Sequence, residues 1–345
     1  MAHRPADRVP ISDSPWATTV TRWHREGLPE GVTPEVYFNY EFVGQGVDTS
    51  FQLPTQVIEE TDDYIIERNS NGATRKNWKN KTSTPECLGF TITTRRAWEE
   101  HKDRLTYNRS RVDWENGLKV NREGVQAGKF VTYSAAFGYD WTQGVVGSEN
   151  LLMTMALEPE WVKQMMLAEA ELIITCAEEM MARGFHFDGA FMFDDNGYRN
   201  ATLFSPRMYE EIVWPVHKRV CDFFNARGMP VILHSCGNVN AFVPGYIKAG
   251  FACLQPLEVK SGMDLIRLKR EYGEHLAFMG GIDVRKMAID DPGPIEEEIR
   301  TKITAAKTGG GYIYHSDHSV PDNVSFENYK RVMELVARYG SYKSP

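Results

Sequence analysis

One pattern recurs through the C-terminal half of the chain: an amphipathic stretch ends in glycine, and a short apolar run follows it. The amphipathic stretches end in the segments ARG (182–184), ARG (226–228), KAG (248–250), EYG (271–273) and KTGGG (307–311). Glycine is the residue best suited to the left-handed turn that follows a helix. The apolar runs are FDGAFMF (187–193), PVILHS (230–235), ACLQPL (252–257), LAFMGGI (276–282) and YIYHS (312–316). The pattern therefore predicts helices that alternate with buried strands.

This alternation predicts an α/β fold with a parallel sheet. Two further runs, VYFNYEF (36–42) and KFVTYSA (129–135), predict earlier strands, and the stretch at about 50–110 predicts a β-hairpin or irregular insertion. We favour a (β/α)8 TIM barrel over a doubly wound sheet, because no strand is followed by a glycine-rich dinucleotide loop and polar residues gather just after the strands. The expected arrangement is a single domain over 1–345, in which 1–35 form a helical N-terminal extension and 36–345 form the barrel.

Three helices have clear sequence signals. The segment 158–184 carries a helical stripe of apolar residues, rich in methionine, which predicts a core-facing helix. A second helix is predicted to begin with Ser205 as N-cap and Pro206 at its first position, and Pro215 predicts a kink within it. The last helix is predicted over Phe326 to Tyr339 and ends at Gly340.

Charge and cysteine content exclude several classes of protein. The chain of 345 residues has a formal net charge of -8 and no basic block, so the sequence does not predict a nucleic-acid binder. No apolar stretch approaches the roughly 20 residues of a membrane-spanning helix, and the N-terminus lacks the apolar region of a secretory signal. The five cysteines follow no framework spacing, which indicates free thiols. We therefore expect a cytoplasmic protein that handles small molecules or other proteins.

The segment VILHSCGN (231–238) places a histidine and a cysteine two positions apart at the end of an apolar run. Residues two apart on a strand point to the same side, so His234 and Cys236 are predicted to project together. Zinc accepts both imidazole nitrogen and thiolate sulfur, and a catalytic zinc usually has three protein ligands. A third ligand could come from the region around the DHS segment after the last strand, which offers His315, Asp317 and His318. The alternative is that Cys236 is a small buried apolar residue and His234 a hydrogen-bonded rim residue.

Carboxylates follow three strands of the predicted sheet. Asp194 and Asp195 end the segment FDGAFMFDD, and Asp283 follows GGI. Such carboxylates can share a proton, orient a substrate or tune a metal-bound group, and we predict all three as catalytic residues. The alternative for each is a role in capping the next turn or helix. Glu258, in LQPLE, is either a metal ligand or a solvated loop charge.

Aromatic and polar side chains near predicted strand ends are candidates for binding a substrate. They come from the segments NYEF, KFVTYSA, SAAFGYDW and DDNGY and are Tyr40, Glu41, Tyr133, Phe137, Tyr139 and Tyr198. An aromatic-lined mouth suits a planar or apolar ligand. Aromatic residues at strand ends are nevertheless often packing residues, so the same rings are also core candidates.

The order of segments in the C-terminal half resembles that of the uroporphyrinogen decarboxylase superfamily. The resemblance covers about residues 130–340 and is carried by FDGAFMFDD, LFSPRMYEEIVWPVHKRV, GMPVILHSCGN, GFACLQPLEVKSGMDLIRLKREYG, LAFMGGID and GGGYIYHSDHSVPDNVSFENY. It implies a (β/α)8 barrel. It also implies one of two chemistries: true uroporphyrinogen decarboxylases use no cofactor, whereas corrinoid-dependent methyltransferases bind zinc through an H-x-C pair and a later cysteine.

Departures from the decarboxylase pattern favour the methyltransferase branch. The arginine-rich N-terminal motif of the true decarboxylases is not found, and the region reads GVTPEVYFNYEF instead. Few arginines are expected near the later rim, although a substrate with many carboxylates would want several cationic partners. The HSCG segment looks like the zinc pair of the methyltransferases, and their later cysteine falls about where His318 stands. The resemblance therefore implies a Zn²⁺ site of His234, Cys236 and His318, with Glu258 as the alternative ligand.

The sequence thus predicts a zinc-dependent methyltransferase that moves a methyl group between a small substrate, an aryl methyl ether or a thiol, and a corrinoid. No corrinoid-binding domain is visible in the chain, so we expect a separate corrinoid protein as partner. The alternative is a cofactor-free decarboxylase of uroporphyrinogen or a related acid, with Asp194 or Asp195 and His318 as proton donors. A third hypothesis is a barrel without chemistry that serves binding or assembly. A homodimer is compatible with the resemblance.

Overall fold

The secondary structure is taken from a computed structural model, which describes residues 1, 3–4, 6–80 and 84–342. The strands are β1 (Phe42–Gly46), β2 (Gln56–Glu60), β3 (Tyr64–Arg68), β4 (Ala73–Trp78), β5 (Glu86–Phe90), β6 (Phe130–Ala136), β7 (Gly189–Phe193), β8 (Val231–His234), β9 (Cys253–Gln255), β10 (Ala277–Met279) and β11 (Tyr312–Ile313). The α-helices are α1 (Ala17–Arg25), α2 (Pro34–Tyr37), α3 (Arg95–His101), α4 (Asn116–Gln126), α5 (Gly138–Val146), α6 (Ser148–Leu157), α7 (Pro159–Ala182), α8 (Pro206–Met208), α9 (Trp214–Asn225), α10 (Val243–Ala249), α11 (Leu265–Tyr272), α12 (Val284–Met287), α13 (Gly293–Lys307) and α14 (Phe326–Gly340). Short 3₁₀ helices lie at Lys102–Arg104, Arg109–Arg111, Asn240–Phe242 and Val259–Ser261, and Tyr209–Val213 forms a π-helical turn.

Seven parallel strands form the central sheet, in the order β1-β6-β7-β8-β9-β10-β11. Each strand runs parallel to its neighbours in this order. Helices connect successive strands, for example α7 between β6 and β7 and α9 between β7 and β8. Because every crossover steps in the same direction, the sheet curls and the carboxyl ends of its strands meet along one rim. The predicted parallel α/β fold is confirmed.

The N-terminal segment lies between the two outer strands of this sheet. The Tyr314 amide, just after β11, donates to the Pro10 carbonyl at 2.9 Å, and the Ser12 amide donates to the Tyr314 carbonyl at 3.1 Å. On the other side, the Glu41 amide, just before β1, donates to the Ile11 carbonyl at 2.8 Å. The predicted helical extension therefore contains α1, but an extended segment that joins β11 to the start of β1 precedes it.

A second sheet is inserted between β1 and β6. It is antiparallel with the order β2-β3-β4-β5 and lies within the predicted insertion at about 50–110, of which residues 81–83 are outside the described residues. Gly72, in the turn between β3 and β4, has a φ of +76°, as tight hairpin turns require. β4 contacts α5, the helix that follows β6. The inserted sheet therefore packs beside the carboxyl end of β6.

The predicted strand at 36–42 is wrong. Pro34 starts the short helix α2 instead, at a position where its missing amide hydrogen costs nothing. Asn39 then takes a φ of +52°, which ends the helical path, and the strand begins only with β1. Tyr40 and Glu41, predicted at the carboxyl end of a strand, consequently lie before its amino end.

The other helix predictions agree with the structure. Ser205 caps its helix by accepting a hydrogen bond from the Met208 amide, and α7 and α14 span the predicted ranges. The interruption predicted from Pro215 takes the form of the π-helical turn just before it, because proline has no amide hydrogen to donate into the preceding turn. No helix in the described part of the chain combines the length and hydropathy that a membrane crossing needs.

Four of the five glycines predicted to end helices adopt a positive φ: Gly184, Gly228, Gly250 and Gly309. Gly273 is the exception, with a φ of −65°. A Cβ at this position would lie 2.2 Å from the Lys269 carbonyl oxygen, so glycine is required there for close packing and not for a left-handed turn.

Glu169 on α7 carries a carboxyl group into the core. Its side chain is fully buried, and neither carboxyl oxygen has a hydrogen-bond partner of good geometry. Burial raises the pKa of Glu169 well above its usual range; the Asp194 carboxylate raises it further, and the Gly138 amide offsets part of the shift. The folded protein therefore holds Glu169 in its neutral form, because an unpaired buried carboxylate is costly.

We expect Glu169→Gln to remove a pH dependence from the stability of the fold. The native state keeps a proton that the unfolded chain releases above its own, ordinary pKa. The contribution of Glu169 to stability is therefore greatest below the unfolded pKa and falls as pH rises towards the folded pKa, by up to about 1.4 kcal/mol per pH unit. Urea unfolding at pH 5 and at pH 8 measures the effect: the variant should gain stability relative to wild type as the pH rises.

Glu171→Gln is the matched control for this experiment. Glu171 lies on the same helix, but its side chain is 53% exposed and pairs with Arg219 at 2.7 Å. This variant should follow the wild-type pH dependence. Parallel curves for Glu169→Gln and wild type would contradict the assignment of a neutral, buried carboxyl group.

Candidate metal centre

His234 and Cys236 converge at the carboxyl end of β8. His234 is the last residue of the strand, and Cys236 is the second residue after it. The imidazole Nε2 of His234 lies 3.4 Å from Cys236 Sγ. The structure therefore brings together the two side chains that their spacing predicted to share one side.

Asp195 from the neighbouring strand end joins this pair. Its Oδ1 lies 3.5 Å from His234 Nε2 and accepts a hydrogen bond from the Cys236 amide at 2.7 Å. One ligand atom from each of Asp195, His234 and Cys236 lies within 4.8 Å of the other two. Asp195, predicted as a catalytic carboxylate, thus has the position of a third ligand.

The distances between these atoms fit a tetrahedral metal. Typical zinc–nitrogen, zinc–oxygen and zinc–sulfur bonds imply an N···S separation of about 3.6 Å and an N···O separation of about 3.4 Å around one ion. The observed separations are 3.4 Å for His234 Nε2 to Cys236 Sγ and 3.5 Å for His234 Nε2 to Asp195 Oδ1. One imidazole, one thiolate and one carboxylate are a donor set that zinc accepts, with a fourth position left open.

Gln255 orients the imidazole of His234. It ends β9, in register with His234, and its Oε1 accepts a hydrogen bond from His234 Nδ1. Gln255 Nε2 lies 3.4 Å from Nε2 of His315, whose Nδ1 donates to the Ser316 carbonyl at 2.7 Å. With Nδ1 protonated and bonded, the lone pair of His234 is on Nε2, which faces Asp195 and Cys236. Gln255 is not among the site residues predicted from the sequence, although its position at the end of a predicted strand could have indicated a place at the site.

The environments of His234 and Cys236 favour the neutral forms of both side chains. Burial raises the pKa of the Cys236 thiol well above its usual range, and the Asp195 and Glu258 carboxylates raise it further. Burial also lowers the pKa of His234, against the opposing charge of Asp195. A bound cation would reverse the first shift, because metal coordination deprotonates a thiol.

Glycines hold the loops after β7 and β8 in contact. A Cβ on Gly197 would lie 2.4 Å from the Cys236 carbonyl oxygen, and a Cβ on Gly237 would lie 2.4 Å from the Gly197 carbonyl carbon. The Asn238 amide also donates to the Tyr198 carbonyl at 2.7 Å. Because only glycine allows this approach, the loop that carries Asp195 stays against the loop that carries Cys236.

His318 lies near the centre but outside this set of ligand atoms. It lines the same cavity of about 320 Å³ as Asp195, His234 and Cys236. Its ring packs edge-on against Trp16, with 6.0 Å between centroids. Its role as a metal ligand therefore stays a prediction.

Glu258, the alternative ligand, has other partners. Its Oε2 accepts hydrogen bonds from the Gly237 amide at 2.8 Å and from Ser261 Oγ at 2.9 Å, and its Oε1 pairs with Lys260 at 2.8 Å. The carboxylate thus fixes the position of the backbone next to Cys236 through the Gly237 amide.

Asp194 lies beneath the rim and does not line the cavity. It is fully buried; its Oδ1 accepts from the Asp140 amide at 2.7 Å and its Oδ2 from His217 Nε2 at 2.7 Å. Tyr209 contacts the other nitrogen of His217 at 3.0 Å. Successive residues at a strand end point to opposite sides, so Asp194 and Asp195 cannot both face the cavity. Asp194, predicted as catalytic, is placed as an anchor for the loop after β6.

Asp283 is also separated from the metal ligands. Its side chain caps α12 by accepting from the Arg285 amide at 2.9 Å, and it pairs with the Arg285 guanidinium at 2.7 Å. Arg285 and the exposed Tyr198 line a neighbouring cavity of about 480 Å³ that also reaches Cys236. Of the predicted substrate-binding residues, Tyr198 is the one that lies beside the centre.

The remaining predicted substrate-binding residues lie elsewhere, because their strands were misplaced or their rings face the helices. Glu41 pairs with Arg8 at 2.7 Å at the opposite end of the sheet. The other four are buried packing residues: Tyr40 bonds the Tyr329 hydroxyl at 2.5 Å, Tyr133 donates to the Ile173 carbonyl at 2.9 Å, Phe137 stacks on His217, and Tyr139 packs on Phe204.

The aromatic wall of the cavity comes from β7. Phe191 and Phe193 line it, and the Phe193 ring lies 5.2 Å from the His234 ring between centroids. Both point to the same side of the strand as Asp195, since they alternate with it. The alternation of Phe191, Phe193 and Asp195 is visible in the sequence, but neither phenylalanine is among the predicted site residues.

Solved structures that resemble the chain include a methyltransferase from Methanosarcina mazei, with a TM-score of 0.64 and 16% identity over 97% of this chain and 95% of that chain. Dispersin B aligns with a TM-score of 0.40 and 7% identity over 65% of this chain and 76% of that chain, too low to carry an argument. At 16% identity, the first likeness shows a shared fold alone. A comparison with curated proteins finds no match.

The sequence also matches a family model. The model, described as uroporphyrinogen decarboxylase (URO-D), matches residues 142–339, a range that contains Asp195, His234 and Cys236. The match covers more than half of the chain. The protein therefore belongs to the uroporphyrinogen decarboxylase family.

Proposed function

We propose that this protein is a zinc-dependent methyltransferase, which moves a methyl group between a small substrate and a corrinoid carried by a separate protein. The observation that carries the proposal is the cluster of Asp195, His234 and Cys236, whose spacing suits a tetrahedral zinc with an open position. Family membership and the fold shared with a methyltransferase support it. We take the curled sheet as a (β/α)8 barrel, with residues 10–12 between β11 and β1.

His234 Nε2 and Cys236 Sγ would hold the metal, with Asp195 or His318 as the third ligand. Asp195 is favoured because its Oδ1 lies 3.5 Å from His234 Nε2, which is close to the separation of two ligand atoms bound to one zinc. When bound, zinc would supply a Lewis acid for a methoxy oxygen or for an acceptor thiol.

The residues of the chain have separate tasks in this proposal. Gln255 keeps His234 in the tautomer that presents Nε2. Phe191 and Phe193 form a wall that excludes water from the cavity and packs against an apolar part of the substrate. His318 lines the same cavity and would hold a proton of the substrate when it is not itself a ligand.

A cofactor-free decarboxylase is the alternative that family membership supports. The arrangement of charge favours it less. Arg199, Lys260 and Arg285 line the cavity beside the centre, and two of them are already paired, Lys260 with Glu258 and Arg285 with Asp283. A substrate with many carboxylates would leave most of them without a cationic partner there.

Metal analysis combined with a transfer assay tests the proposal. The wild-type chain, purified without chelator, should contain about one zinc per chain, and Cys236→Ser should lose it, because a metal with three protein ligands is poorly held by two. Cys87→Ser, at an exposed cysteine, is the matched control and should keep the metal. His234→Ala should lower methyl transfer between cob(I)alamin and methoxybenzene, or from methylcobalamin to 2-mercaptoethanol, at least 100-fold. A zinc-free wild-type chain that releases carbon dioxide from uroporphyrinogen would instead establish the decarboxylase.

We expect Gln255→Leu to weaken zinc binding by about 10- to 100-fold, because the leucine cannot accept the hydrogen bond from His234 Nδ1. Competition against a chromophoric zinc chelator measures the affinity. Gln56→Leu, on the exposed strand β2, is the control and should bind as wild type does. Equal affinities for Gln255→Leu and wild type would show that His234 does not need this partner.

A further inference from the structure

A cavity of about 740 Å³ lies between the inserted sheet and the helices that follow β6. On the side of the sheet it is lined by Arg75 of β4 and by Phe90 of β5. On the other side it is lined by Asp140 of α5 and by Met153 of α6. The cavity thus combines apolar walls with a few charged groups, which is the usual composition of a small-molecule site.

This cavity opens at the same rim of the central sheet as the metal centre. Ala136, the last residue of β6, lines it; the partner of Ala136 on β7 is Phe193, and the partner of Phe193 on β8 is His234. Neighbouring strands are about 4.8 Å apart, so the backbone of Ala136 lies about 10 Å from that of His234. A small elongated molecule in the cavity can therefore reach towards the metal ligands.

Charged groups of the cavity and of the metal centre interact electrostatically. The pKa of Asp140 is raised to about 7, first by burial and then by the charges of Asp195, one of the metal-centre residues, and of Asp194. Arg75 acts in the opposite direction and lowers the pKa of Asp140. Asp140 and Arg75 line the same cavity, and Asp140 also lies within electrostatic range of Asp195.

Arg75 is a cation without a protein partner in this cavity. Its Nε is buried and makes no hydrogen bond, and its guanidinium forms no ion pair within 4.0 Å among the described residues. The next residue, Lys76, lies over the rings of Tyr64 and Trp78, at 3.8 Å and 4.7 Å, and does not line the cavity. Buried donors in native proteins normally have partners, so the unpaired Nε shows that the protein does not fully satisfy Arg75. With no ion pair among the described residues, the guanidinium is available to an anionic ligand in the cavity that it lines.

We propose that Arg75 binds the carboxylate of a small aromatic acid, whose ring lies in this cavity and whose methoxy group points to the metal centre. The guanidinium fork matches the two oxygens of a carboxylate. Glu149 also lines the cavity, and its negative charge favours a singly charged carboxylate over a doubly charged phosphate. Because it names the methyl donor, this inference rests on the proposed function.

In the transfer, the bond between the aryl oxygen and the methyl carbon breaks. The oxygen keeps that electron pair and takes up a proton, and the Co(I) corrinoid of the partner supplies both electrons of the new cobalt–carbon bond. The products are a hydroxy aromatic acid and a methyl corrinoid. The carboxylate at Arg75 takes no part in the bond changes and serves to position the ring.

Binding measurements on the purified full-length chain test the carboxylate site without any transfer. Calorimetry is done with 3-methoxybenzoate, with methoxybenzene, which lacks the carboxylate, and with phenyl phosphate. Wild type should bind 3-methoxybenzoate at least tenfold more tightly than either other probe. Arg75→Gln should weaken binding of 3-methoxybenzoate by at least about tenfold and leave methoxybenzene unchanged. Lys76→Gln, which removes a positive charge from the same strand but not from the cavity, should bind all three probes as wild type does.

Several results would overturn the inference: no binding of 3-methoxybenzoate by wild type, equal binding by Arg75→Gln, equal weakening in Lys76→Gln, or tighter binding of phenyl phosphate. Melting temperatures of the variants check that each remains folded. The results distinguish failure of the carboxylate site from failure of the proposed function. If 3-methoxybenzoate binds through Arg75 but no methyl group is transferred, the proposed function is wrong and the carboxylate site stands. If wild type and Arg75→Gln demethylate methoxybenzene and 3-methoxybenzoate alike, the function stands and the carboxylate site is wrong.

Discussion

The metal centre depends on the register of three parallel strands. The Asp194 amide donates to the His234 carbonyl at 2.9 Å, and the Ser235 amide donates to the Gln255 carbonyl at 2.8 Å, so the ends of β7, β8 and β9 are held level. Level strand ends place Phe193, His234 and Gln255 in register, with Asp195 two residues beyond Phe193. A shift of one residue would turn His234 to the opposite face of the sheet, because side chains alternate along a strand. The backbone hydrogen bonds of the sheet thus decide which side chains can share a metal.

Alternation at the end of β7 also divides two adjacent carboxylates between two environments. Asp194 turns inward, where His217 and the Asp140 amide satisfy it, and Asp195 turns outward to the cavity. The inward carboxylate anchors the start of α5, and this anchor places Asp140 on the wall of the larger cavity. One pair of neighbouring residues therefore connects the metal centre to the space where we place the substrate.

The inserted sheet supplies a cation and apolar side chains to the larger cavity. The strands of the central sheet carry the ligands and their supporting residues, whereas the free cation and part of the apolar wall come from β4 and β5. The strands of the insertion form a separate sheet, and β4 contacts the helix α5, so the insertion can change without altering the strand pairing that places Asp195, His234 and Cys236. In the arrangement that we propose, the central sheet would determine the chemistry and the insertion would determine which molecule is bound beside it.

By itself, the sequence determined the parallel α/β architecture and the pairing of His234 with Cys236. Both follow from local periodicity, since glycine-ended helices alternate with apolar strands and residues two apart on a strand share a side. Local patterns failed at VYFNYEF, where Pro34 favoured a helix over the apolar run, and this error carried Tyr40 and Glu41 to the wrong end of the sheet. Only the tertiary structure decided that Asp195 joins His234 and Cys236, that Gln255 orients His234, and that Arg75 faces a cavity without an ion-pair partner among the described residues. These relations join residues on different strands or sheets, and the register and packing that bring them together are not encoded in any one segment.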